Sequence, residues 1–188
     1  MERESWRKPV SDAVYLALCA AFQLLPDSDE GLARFKPADE KDVITPQAPR
    51  NANVCYFSIS LLEGTEYDFI ETSYGTKNGL PIATLTTPIP ISVLLTFYGE
   101  YADDDAEQFW SLLQFDSGSA SARAVLRSKN IVPSGKPSRP QSVYEVEGTY
   151  RRRRCDVRMN LLYKVSTEYG ASVIESPPEI STITQNNN

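Results

Sequence analysis

Tyr-Arg-Arg-Arg-Arg-Cys-Asp-Val-Arg-Met-Asn-Leu-Leu-Tyr-Lys-Val, residues 150–165, is the stretch on which the fold turns. Its side chains sort by a period of two. Cys155, Val157, Met159, Leu161, Tyr163 and Val165 fall on one face, and Arg152, Arg154, Asp156, Arg158, Asn160 and Lys164 on the other. That alternation marks a strand buried on one side only. Val143–Glu147 precedes it across Gly148-Thr149, so two paired strands are predicted there. A sheet with one apolar face needs a cover, and the rest of the chain supplies helices for it.

Upstream, Ser11–Leu25 reads as a first helix with Ser11 as N-cap and Val14, Leu18, Ala21, Phe22 and Leu25 as its apolar stripe. Pro26 and the acids of 27–30 are expected to end it. Gly31–Asn53 is polar and proline-rich, a surface excursion with one short strand predicted at Val43-Ile44. Val54–Leu62 alternates, placing Cys55, Phe57, Ile59 and Leu61 on one strand face. Glu66–Tyr74 and Leu80–Thr87 flank a Thr-Lys-Asn-Gly turn, and Asn78-Gly79 is a strong hairpin signal because both residues tolerate positive φ. The arms carry no clean buried face, so an extended hairpin arm over about 63–88 is expected to lie on a neighbouring subunit.

Pro88 and Pro90 are expected to interrupt pairing before Ile91–Tyr98 resumes as a strand, with Leu94 suggesting burial from both sides. Tyr101–Gln114 is a second helix with Asp103 as N-cap and Asp104 and Asp105 in its first turn. Three adjacent aspartates at a helix start suit the dipole better than a metal, because successive side chains diverge around the axis. A third helix is predicted over 119–127, then a Pro/Ser/Gly loop over 133–140. Gly170 leads into a last short strand, Ser172–Glu175, and a polar tail. The class is α+β: a largely antiparallel sheet with helices on one face and a hairpin arm, forming one domain over 1–176 with a tail over 177–188.

Composition narrows the chemistry. The chain has 188 residues, 19 Lys and Arg against 25 Asp and Glu for a net −6, and no histidine. Without histidine, Ser–His–Asp and Cys–His nucleophile systems, HExxH zinc sites and imidazole pH switches are excluded. Cys19, Cys55 and Cys155 are far apart in apolar-periodic segments with no metal spacing, and are read as reduced core residues. The N-terminal residues lack the apolar core of a signal peptide, and no stretch is long and apolar enough for a membrane span, so a soluble intracellular product is expected. Neither GxGxxG nor GxxxxGK[ST] occurs, and no catalytic residue, metal or cofactor is expected. The reading is not an enzyme; a small hydrolase using a carboxylate pair is the remote alternative.

Arg151-Arg152-Arg153-Arg154, with Arg158, is the sharpest charge feature. Three readings stay open for it: a solvated face paired with acids of this or an adjacent chain, a subunit interface, or phosphate contacts of a nucleic-acid adaptor.

The run Pro-Ile-Pro-Ile-Ser-Val-Leu-Leu-Thr-Phe-Tyr-Gly (88–99), the acid-led helix over 103–113, Tyr-Arg-Arg-Arg-Arg-Cys-Asp-Val-Arg-Met-Asn-Leu-Leu-Tyr (150–163) and Val-Ile-Glu (173–175) together resemble the phage neck/tail terminator family, over residues 50–176. The resemblance implies a structural virion protein, assembled in the host cytoplasm, that caps the tail tube as a ring, commonly a homohexamer. It implies contacts with itself, tail-tube protein, head-side connector or adaptor proteins and sheath or collar, with genomic DNA passing through the lumen. A net negative chain suits a path that DNA slides through without sticking. Candidate interface residues are Arg151–Arg154 and Arg158 on the strand, Tyr67, Phe69, Tyr74 and Ile82 on the hairpin, and Ile180 and Ile183 in the tail.

Overall fold

Two long strands organise the molecule, and each serves two short partners in succession. The computed structural model describes residues 6–38, 52–62, 70–114, 121–147 and 150–170. The elements are α1 (Arg7–Ala21), α2 (Asp29–Arg34), β1 (Phe35–Pro37), β2 (Val54–Leu61), β3 (Glu71–Lys77), β4 (Leu80–Tyr98), α3 (Ala102–Gln114), α4 (Ala122–Ser128), β5 (Ile131–Pro133), β6 (Gln141–Glu147) and β7 (Tyr150–Gly170). Strand order is β1-β2-β4-β7-β5, with β3 also on β4 and β6 also on β7. β1 pairs with β2 in parallel. β2 and β3 with β4, and β5 and β6 with β7, are antiparallel. The α+β class expected from the sequence is the one observed.

The chain divides into two compact units. In the first, described over 6–38, 52–62, 88–114, 121–147 and 150–165, the inward residues of β2, β4 and β7 are Cys55, Phe57 and Ile59, Ile91, Val93, Leu95 and Phe97, and Cys155, Val157, Met159 and Leu161, all buried. The alternation of 155–161 is therefore the true face of β7. Helices α1, α3 and α4 cover it with Val14, Leu18, Phe109, Leu113 and Leu126 among their buried residues. Phe97 lies 6.3 Å from Phe22 and 6.4 Å from Phe109, ring centre to ring centre. Tilted aromatic packing of this kind adds to what burial alone contributes.

Several elements depart from the sequence expectation, each for a local reason. α1 begins at Arg7, with Trp6 as N-cap and no capping side chain, so Ser11 lies inside the helix. Pro9 is tolerated there because first-turn N–H groups lack intrahelical acceptors anyway. The helix stops at Ala21, and Leu25 is exposed. The acids that were expected only to end α1 start α2, where the Ser28 hydroxyl accepts from the Gly31 N–H at 3.1 Å. β1 follows at once, so part of the presumed excursion is structured; Val43-Ile44 lies outside the described residues. Leu61 is 51% exposed despite its inward parity, and Leu94 is half-buried, so that face is not enclosed from both sides.

Pro88 and Pro90 do not break β4. They lie between its two partners: β3 pairing starts at Glu71↔Thr86 and β2 pairing ends at Leu61↔Ile91. A proline carbonyl still accepts, and Pro90 takes the Leu62 N–H at 3.1 Å. Asp103 is not the N-cap of α3 but sits in its first turn beside Asp104 and Asp105. The cap of α4 is Ser121, whose hydroxyl accepts from the Ala124 N–H at 3.1 Å. β5 was not foreseen, and β7 runs on to Gly170. Ser172–Glu175 and the tail lie outside the described residues.

The second unit, described over 70–87 and 166–170, holds the β3–β4 hairpin and the end of β7. Asn78 and Gly79 take φ of 54° and 79°, the left-handed pair a two-residue hairpin turn requires. Lys77 pairs with Glu168, and the Thr86 and Ser166 hydroxyls are 2.9 Å apart.

Cys19, Cys55 and Cys155 are free thiols, each no more than 1% exposed. Burial raises the pKa of all three, that of Cys155 to about 12 with Asp103 adding to the shift. Since the thiolate is the nucleophile, native protein at pH 8 is expected to resist iodoacetamide, while denatured protein takes up all three labels. Mass spectrometry after timed alkylation checks this, and rapid native labelling would contradict it.

Candidate functional site

Because successive side chains of β7 leave opposite faces, the arginine run is divided between two environments. On the helix side, Arg153 forms an ion pair with Asp103 of α3. The Ser142 hydroxyl donates to the same carboxylate at 2.6 Å, and these contacts hold Asp103 below its ordinary pKa, the Ser142 bond most of all. Asp105 accepts both its bonds from Arg34, at 2.9 Å each, while Asp104 is exposed. The aspartates of this helix start therefore anchor neighbouring elements and do not converge. Among the described residues, no group of His, Cys, Asp and Glu is arranged to hold a metal ion.

On the other face lies a connected polar cluster. Arg154 grips Asp156 with two bonds, Nε to Oδ1 at 2.9 Å and Nη2 to Oδ2 at 2.7 Å, and donates Nη1 to Glu145 at 3.3 Å. The Asp156 bonds are the main reason its pKa is raised. Tyr98 donates its hydroxyl to the other Glu145 oxygen at 3.1 Å, and burial, with Glu145 beside it, lifts the phenol pKa. Arg152 lies over the Tyr98 ring at 4.2 Å from its centre. Its Nε and Nη2 are withdrawn from solvent and have no hydrogen-bond acceptor. Tyr98 and Glu145 were not singled out in the sequence. Strand register could have found Glu145, since it stands opposite Arg152 once β6 and β7 are aligned across the turn.

Arg158 is exposed further along this face, beside a shallow recess lined by Ser58, Ser60, Ser92 and Leu94. Its backbone is tied to the following edge, where Ser138 accepts the Arg158 N–H at 2.8 Å and returns its own N–H to the Arg158 carbonyl at 2.7 Å. Arg151 is placed on β7 opposite Val146, and its side chain lies outside the described residues. The five arginines are thus not one patch: two are spent on acids of the same chain, while Arg152 and Arg158 pair with no acid among the described residues.

On the hairpin, Tyr74 is 79% exposed and Ile82 is half-buried. Every residue of β3 is exposed. Tyr67, Phe69, Ile180 and Ile183 lie outside the described residues. No described helix is long and apolar enough to cross a membrane.

Among curated proteins, no match to this chain is found. A family model described as Phage neck terminator protein matches residues 10–187. That span takes in both long strands and, among the described helices, α2, α3, α4 and α1 from Val10 onward; α1 and α2 lie outside the 50–176 over which the sequence resemblance runs. The chain belongs to the phage neck terminator protein family, and with that membership comes a structural role in the virion neck among tail and head proteins.

Proposed function

We propose that copies of this chain close into a homo-oligomeric ring, a hexamer, that caps the tail tube, ends its polymerisation and joins the tail to the head-side connector. The role is structural and not enzymatic. The observation that carries this reading is the composition of the second unit. Not one of its described residues is buried, yet it exposes Ile70, Tyr74, Leu80 and Tyr169 on or beside its strands. A small sheet without an apolar core is marginal alone and gains stability by lying on another surface. An exposed strand such as β3 is also a template for further pairing, which proteins otherwise blunt with charge or proline. Heterologous contacts made by such an arm repeat around an axis and close when the rotation allows.

The competing reading, a nucleic-acid adaptor, is weakened by the ion pairs of Arg153 and Arg154 within the chain and by the net charge of −6. Capping can be measured directly. Purified chain added to elongating tail tubes is expected to halt growth and leave a ring density at one tube end in negative stain. Tubes that lengthen at the control rate without end density would overturn the capping role.

A further inference from the structure

Arg152 is the least satisfied cation among those described. It is half-buried, two of its nitrogens are out of solvent without an acceptor, and among the described residues the Tyr98 ring is the contact found for its charge. Its register neighbour Glu145 is already committed to Arg154 and Tyr98. A guanidinium that has lost part of its hydration without gaining a carboxylate binds an incoming one more strongly than a fully solvated cation does.

The same unit carries a matching surface on its opposite layer. α2 lies on the helix side: Arg34 stacks over Phe22 at 4.5 Å and pairs with Asp105 of α3. Asp29 and Glu30 in its first turn are exposed, and among the described residues no ion pair engages either one. They are flanked by Leu25, 77% exposed, and Leu32, 53% exposed. Acids beside exposed leucines on one layer thus answer a cation beside Tyr98 on the other.

We infer that the sheet face around Arg152 receives the α2 segment of a second copy of this chain, with Asp29 and Glu30 meeting the guanidinium. The two surfaces belong to opposite layers of one unit, so their contact is heterologous and propagates from copy to copy, as a ring requires. The inference rests on the proposed self-assembly and specifies which surfaces meet in it.

Sedimentation of the full chain over a concentration series tests it, with Arg152→Glu, the double variant Asp29→Lys/Glu30→Lys, and all three changes together. Interface charge pairs couple strongly enough that each of the first two is expected to raise the concentration for half-assembly about tenfold or more. The triple variant, which swaps the charges, is expected to recover most of that loss. The α2 changes lie on the exposed surface, so they remain informative if Arg152→Glu perturbs the fold, and circular dichroism identifies that case. Unchanged assembly of either charge variant, or a triple variant no better than the others, would overturn the pairing while leaving self-assembly intact. A wild-type chain that stays monomeric would remove the ring reading itself. Salt-sensitive binding of a short DNA duplex by the wild type, abolished in Arg152→Glu, would assign the face to phosphate and overturn the inference as well.

Discussion

Phe97→Ala is expected to cost about 3–5 kcal/mol, the range for removing a fully buried aromatic ring. Phe97 is 2% exposed and stands where strand and helices meet, with Phe22 from the end of α1 on one side and Phe109 of α3 on the other. Phe22 in turn lies 5.4 Å from Phe35 of β1, so a cavity here has rigid walls on several elements and cannot collapse cheaply. In urea the midpoint should fall with little change in slope, because the native surface is unchanged. At about 2–4 °C per kcal/mol for a chain of this size, the melting temperature should drop by roughly 10 °C. A loss under about 1 kcal/mol would mean that the aromatic cluster is not the core.

Gly99→Ala is expected to be nearly as damaging, by about 3 kcal/mol or more, through strain and not through a lost contact. Gly99 closes β4 with φ of 114°, outside the range that L side chains adopt readily. A Cβ there would sit 2.2 Å from Asn53 Oδ1 and 2.9 Å from both the Ala52 carbonyl oxygen and Asn53 Cα. The side-chain oxygen could swing away, but it accepts the Tyr101 N–H at 3.3 Å, and the backbone atoms of the β2 approach cannot. The strain falls at the start of α3, where Asp103 holds Arg153 and Asp105 holds Arg34. Loss of stability should therefore be accompanied by weakened assembly, read by thermal melts and sedimentation on the same sample. A variant as stable as the parent would show that the turn at Gly99 relaxes freely.

What was legible in the sequence followed from strict periods and from turn chemistry. The alternation of 155–161 and of 55–59 is a direct record of which side faces helices, and Asn78-Gly79 specified its turn by conformational preference alone. The apolar stripe of Phe109 and Leu113 likewise identified α3. Short elements were not legible. Ser28-Asp29-Glu30 is a proper helix start, but Gly31 and the brevity of α2 hid it behind the end of α1. β5 has three residues, too few to show a period, and pairs with β7 at one end of the strand order. The continuity of β4 through Pro88 and Pro90 depended on where its partners change over, which is a property of pairing and not of the run itself.

The arginines mark the same boundary at the site. Their alternation across the sheet followed from period two, yet apart from Asp156 their partners are remote: Asp103, 50 residues before Arg153, and Glu145 reached diagonally from the opposite strand. One difference was local: Asp156, two residues on along the same face, grips Arg154, whereas the residue two positions beyond Arg152 is another arginine. Together these contacts separate Arg153 and Arg154, engaged within the chain, from Arg152 and the exposed Arg158.

The most direct test of ring formation is native mass spectrometry of the purified chain together with negative-stain class averages. The account predicts one dominant closed oligomer, six copies of the 188-residue chain around an open lumen. A chain that remains monomeric at high concentration, with tail-tube protein present, or that forms open filaments of indefinite length, would contradict it.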